Sequence, residues 1–121
     1  MLVYLAADLI RATKIKSTAD ALQVPCRPVR SVQMLEDRLG DSDVRAALLD
    51  LQADAIWDML NRLRTPDTSP AALDVRVLCF GPHVDIAAMD RARQGGATEV
   101  LPRGAFERQL PDLLVKLSGE G

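Results

Sequence analysis

A chain of 121 residues, 48% hydrophobic and 26% charged, has the make-up of one globular domain and excludes a largely disordered protein. The formal net charge is -2 and no Lys/Arg run occurs, so nothing supplies the electrostatic footprint of a nucleic-acid binder. The opening apolar run Leu2–Ala7 is too short to span a membrane and lacks the flanks of a signal peptide, and a cytoplasmic protein is expected.

The hydrophobic pattern then alternates between two periods along the chain. Leu2-Val3-Tyr4-Leu5-Ala6 is continuously apolar, as a strand buried on both faces requires. Asp8 offers an N-cap, and Leu9, Ala12, Ile15, Ala19 and Leu22 recur on one face of a helix. A second, short strand is predicted at Cys26–Val29. Pro25 and Pro28 suit it to a sheet edge, where a missing N–H does little harm. Ser31 can cap a second helix with the apolar stripe Val32, Leu35 and Leu39, which Gly40 ends.

Val44 to Leu49 reads as a third strand, ending at Asp50. Asp54 is the predicted cap of a third helix carrying Ile56, Met59, Leu60 and Leu63. Thr65 to Asp74 forms a polar, proline-containing connection. Val75 to Phe80 is the fourth strand, and Gly81-Pro82 turns the chain. A helix from about Asp85 carries Ile86, Met89 and Ala92 and stops at Gly95-Gly96. Glu99-Val100-Leu101 is a short fifth strand before Pro102. A last helix presents Phe106, Leu110, Leu114 and Leu117, with Pro111 expected in its first turn, where proline is tolerated.

Strands alternating with helices imply an α/β domain with a parallel sheet and helices on both faces, one unit over residues 1–121. Sites in such folds form at the carboxyl ends of the strands. Here those ends carry Ala6, Ala7 and Asp8, then Asp50, then Gly81, Pro82 and His83, then Pro102, Arg103 and Gly104. The first βα turn, Leu5-Ala6-Ala7-Asp8, has no glycine, so a dinucleotide fingerprint is absent, as is a phosphate-cradling loop. Cys26 and Cys79 lie far apart in apolar runs with no ligand spacing, and read as buried free thiols rather than metal ligands.

On these residues the chain resembles the receiver domain of bacterial response regulators, the CheY-like superfamily. The likeness rests on the element order, on Asp50 ending strand three within Leu48-Leu49-Asp50-Leu51, on a basic residue after strand five, and on the turn Gly95-Gly96-Ala97 before that strand. It implies a flavodoxin-like three-layer sandwich, a five-stranded parallel sheet in the order 2-1-3-4-5. It also implies that Asp50 is the candidate phosphoacceptor, with Asp8, Gly81, His83 and Arg103 as the candidate pocket around it. The departures from the family pattern are extensive. Ala6 and Ala7 stand where receivers keep an acidic pair for Mg²⁺, and Gly81 stands for a Ser/Thr hydroxyl. Arg103-Gly104 replaces Lys-Pro, and Val100 replaces an aromatic residue.

Phosphoryl transfer relies on positioning and on neutralising charge, and a site left with one aspartate is poorly equipped to hold Mg²⁺. The leading expectation is therefore an atypical or pseudo-receiver, a phosphorylation-independent protein-interaction module without metal or cofactor. The alternative is a working receiver phosphorylated on Asp50, which would need Mg²⁺. The resemblance implies a signalling partner, such as a histidine kinase or output protein, and a homodimer face built from helix four, strand five and helix five. A small-molecule binder is disfavoured by the short strand-end loops and by 3% aromatic residues. An enzyme of independent chemistry is disfavoured because one carboxylate and one arginine make no acid/base pair.

Several residues keep two readings. Asp8 caps a helix or reaches a metal, and Arg103 forms a bidentate pair with Asp50 or is solvated at the sheet's end. His83 is an ordinary loop histidine or a pH-sensitive pocket group. Trp57 packs its helix on the sheet or marks a partner surface. Asp90, Arg91 and Arg93 read as the wet face of the fourth helix.

Overall fold

The structure, a computed structural model, describes residues 1–65 and 74–119. Strands form where the chain is apolar at successive positions: β1 (Leu2–Leu5), β2 (Cys26–Pro28), β3 (Ala46–Asp50), β4 (Arg76–Gly81) and β5 (Glu99–Pro102). The described helices are α1 (Leu9–Ala21), α2 (Val32–Asp41), α3 (Ile56–Arg64), α4 (Ile86–Gln94) and α5 (Arg103–Ser118). All neighbouring strands pair in parallel in the order β2-β1-β3-β4-β5, the expected flavodoxin-like arrangement. The predicted connection from Thr65 to Asp74 falls mainly on residues 66–73, which lie outside the described residues.

Side-chain alternation along the strands divides the core into two layers. Leu2, Tyr4, Ala46, Leu48, Leu78 and Phe80 face α1 and α5, where the rings of Phe80 and Phe106 stack at 3.9 Å. Val3, Leu5, Ala47, Leu49, Val77 and Cys79 face the other way, onto α2, α3 and α4. With both faces covered, β1 and β3 have no exposed residue, which explains their unbroken apolar runs.

Local signals place most helix starts. The Asp8, Ser31 and Asp85 side chains accept the N–H of Arg11, Met34 and Ala88 and cap α1, α2 and α4. Asp54 does not cap α3. The amide of Ala53 bonds Asp50 O and that of Ile56 bonds Ala53 O, and these turns bring Ala55 to the cap position. Gly40 does not end α2 but lies in its last turn.

Pro111 sits in the middle of α5 rather than in its first turn. Burial of Phe106 and Leu110 before it, and of Leu113, Leu114 and Leu117 after it, carries the helix through the lost hydrogen bond. Leu9 and Leu22, assigned to the apolar face of α1, are exposed at its first residue and its C-cap, and Ile15 and Ala19 are its buried residues. At Gly96, φ is +102°, a conformation L side chains rarely adopt, and the turn into β5 depends on it. No helix among the described residues is long and apolar enough to cross a membrane.

Candidate functional site

β1 and β4 flank β3 in the sheet, so the loops after them border the end of β3. Asp50 closes that strand with no solvent exposure, the single buried charged residue among those described. A carboxylate buried this way must have its oxygens satisfied. Its Oδ2 accepts the Ala7 N–H at 2.9 Å and its Oδ1 accepts the Gln52 N–H at 3.0 Å. The backbone, not a cation, meets both oxygens.

Asp8 faces away from this carboxylate. Its Oδ1 accepts the Arg11 N–H at 2.9 Å and its Oδ2 pairs with the Arg11 guanidinium, so both oxygens serve the start of α1. The capping reading of Asp8 stands. Gly81 is buried at the end of β4, and a Cβ there would lie 3.0 Å from both Cβ and Cδ1 of Leu51. Leu51 therefore packs closely on the glycine, and a side chain there would have to displace it by a few tenths of an ångström. His83 is exposed in the turn that follows.

The bidentate Arg103–Asp50 pair is not formed. Arg103 begins α5, and its guanidinium donates to Gln52 Oε1 instead, while its Nε is buried without a hydrogen-bond partner. Geometry accounts for this. β4 separates β5 from β3, so their ends lie about two strand spacings (~9.6 Å) apart, and the arginine meets the loop residue that rises above the sheet. Gln52 and Leu51 are site residues that the sequence reading missed. The one available signal was their position directly after Asp50.

The rest of the candidate list resolves into packing. Trp57 is half-buried against the α2–α4 core layer, with the Arg91 guanidinium 4.1 Å over its ring. Arg93 pairs with Asp90 at 3.0 Å on the exposed face of α4. Cys26 and Cys79 are buried free thiols, each pushed up to about 12 chiefly by burial. Among the described residues no group of three or more His, Cys, Asp or Glu could hold a metal ion. The Mg²⁺ of phosphoryl-transfer sites finds no fit here. Ala6 and Ala7 offer no carboxylate and Asp8 is committed to Arg11, which leaves Asp50, each of whose oxygens already accepts an amide, without the acidic pair that would complete a site.

No family model matches the sequence, and no curated protein matches it. Solved structures do match the architecture. The receiver domain of NtrX from Brucella abortus superposes with a TM-score of 0.78 at 11% identity, over 97% of each chain. A response regulator receiver protein from Pseudoalteromonas atlantica gives 0.72 at 13%, over 97% of this chain and 96% of that one. This is the receiver fold. Against the longer NtrX chain in complex with ADP the TM-score is 0.75 at 12% identity, and the present chain spans 25% of that length. Within the receiver fold Asp50 and Gly81 end β3 and β4 and Arg103 directly follows β5, at the carboxyl edge where such sheets carry their sites.

Proposed function

We propose that this chain is an atypical receiver domain of bacterial two-component-type signalling that works through a protein surface without being phosphorylated. One observation carries the proposal: both oxygens of the buried Asp50 carboxylate are held by the amides of Ala7 and Gln52, and alanines stand at positions 6 and 7 where an acidic pair would be needed. A phosphoryl acceptor needs an oxygen free to attack and cations to neutralise the transferred group. Here each Asp50 oxygen already accepts a backbone amide, and the hydroxyl position is a glycine packed against Leu51. The domain then needs no phosphoryl group to act, and it works by presenting a surface to a signalling protein, such as a histidine kinase or an output protein. The face of α4, β5 and α5 is the proposed homodimer or partner surface, and exposed Ile86 and Val115 lie on two of its elements, α4 and α5.

The competing reading, a working receiver phosphorylated on Asp50 with Mg²⁺, is favoured by the position of that aspartate at the end of β3. Intact mass after incubation with a small phosphodonor and Mg²⁺ separates the two, with Asp50→Asn as control. The atypical reading expects no mass gain in either protein. A phosphate-sized gain confined to the wild type would overturn it.

A further inference from the structure

Gln52 is tied in two directions. Its own N–H reaches down to Asp50 Oδ1, and its side-chain Oε1 accepts from Arg103, 51 positions along the chain. Because β4 lies between β3 and β5, the second contact passes over the end of β4, where Gly81 and Pro82 emerge. Beneath it Leu51 lies on Gly81, held by its N–H to Phe80 O at 2.8 Å. The glycine matters, since a side chain at 81 would press on Leu51. Arg103 is the first residue of α5, so the contact joins the β3–α3 loop to a helix packed on the opposite face of the sheet from α3.

We propose that Gln52 and Arg103 form a strap that holds the β3–α3 loop closed over Asp50 and couples access to that carboxylate to the position of α5. Several observations fit a releasable fastening better than a permanent one. Gln52 is exposed, so water competes for its amide. The acceptor is a neutral amide oxygen, a weaker partner for a guanidinium than a carboxylate. Arg103 Nε is buried with no partner, so the closed arrangement leaves a donor unsatisfied. The sheet beneath the strap is firm by comparison, since Leu49, Cys79 and Phe80 are fully buried. Movement of the first turn of α5, as when a partner engages that helix, then releases Gln52 and opens the loop while the sheet stays intact. The strap holds whether or not Asp50 is ever phosphorylated, and its test uses no phosphodonor.

The experiment is carboxyl labelling of the whole protein with a water-soluble carbodiimide and an amine, read at Asp50 by peptide mass spectrometry, with exposed Asp85 as internal reference. Gln52→Ala and Arg103→Ala are each expected to raise the Asp50 rate by at least about tenfold, the scale on which one charge-assisted hydrogen bond shifts a local opening. The double variant should match either single one, because both remove the same contact. Gln52→Glu, which keeps an acceptor and adds charge, should label at position 50 no faster than wild type. Amide exchange at Leu48 and Leu49 should be unchanged throughout, which distinguishes loop opening from loosening of the sheet. Unchanged Asp50 labelling in both alanine variants overturns the strap, and so does a parallel rise in exchange at Leu48 and Leu49.

Discussion

Gly81→Ala tests the most tightly specified contact of the site. The added Cβ would sit 3.0 Å from Leu51 Cβ and 3.0 Å from its Cδ1. Turning the Leu51 side chain relieves the second clash but not the first, because that Cβ is fixed to a backbone pinned by the bond to Phe80 O. Overpacking of this kind costs about 1–3 kcal/mol, and the reduced freedom of the unfolded chain returns about 0.4–1 kcal/mol. The net expectation is a loss of about 0–2.6 kcal/mol. Leu51→Ala alone should cost about 2–3 kcal/mol, the low part of the range for core leucines because the site lies near the surface. Combined, the two changes should couple: the new methyl occupies part of the space the leucine leaves, and the double variant should be about 1 kcal/mol more stable than the sum. Urea unfolding followed by the fluorescence of Trp57, the single tryptophan, reads all four proteins. Additivity to within about 0.3 kcal/mol would show that Leu51 does not rest on Gly81, and the argument against a hydroxyl side chain at that position would fail.

Asp8→Ala removes the cap of α1 and the partner of Arg11, and should lower stability by about 1 kcal/mol in the same unfolding assay, with no change expected if Asp8 is idle. Pro111→Ala restores an N–H in the middle of α5 at an exposed position and should raise stability by about 1–3 kcal/mol, whereas destabilisation would mean that the proline fixes a needed bend. The thiols of Cys26 and Cys79 ionise at about 12 in the fold against 9.0 ordinarily. Below about pH 9 both states keep these protons and the thiols' contribution is constant. Between pH 9 and 12 the unfolded chain releases them first, so stability falls, by up to ~1.4 kcal/mol per pH unit for each thiol. The slope over that window should flatten in Cys26→Ala and Cys79→Ala, and an unchanged slope would place the thiols in water.

The strands were legible because a sheet covered on both faces demands unbroken apolar runs, and β1 and β3 supply them. The caps at Asp8, Ser31 and Asp85 were legible for a similarly local reason: each bonds an amide three residues on. Asp54 misled because the start of α3 is set by turns descending from β3 rather than by a side chain. Pro111 misled because its intrinsic penalty is overridden by the buried residues on either side. In the site, the position of Asp50 at the end of β3 and the alanines at 6 and 7 could be read from the chain alone. Its inward hydrogen bonds, the roof of Leu51 and the contact of Gln52 with Arg103 could not. The longest of these contacts joins residues 51 positions apart, and no local pattern encodes it.

Asp50→Ala gives the most direct test of whether this carboxylate is kept for structure. Removing it deprives the Ala7 and Gln52 amides of their acceptor in a buried place, at about 1–3 kcal/mol each, partly offset by losing a buried charge. Urea unfolding at neutral pH should show a net loss of about 2–4 kcal/mol. A variant as stable as wild type, or more so, would mean that Asp50 is a burden the fold carries for its chemistry, and would contradict the account.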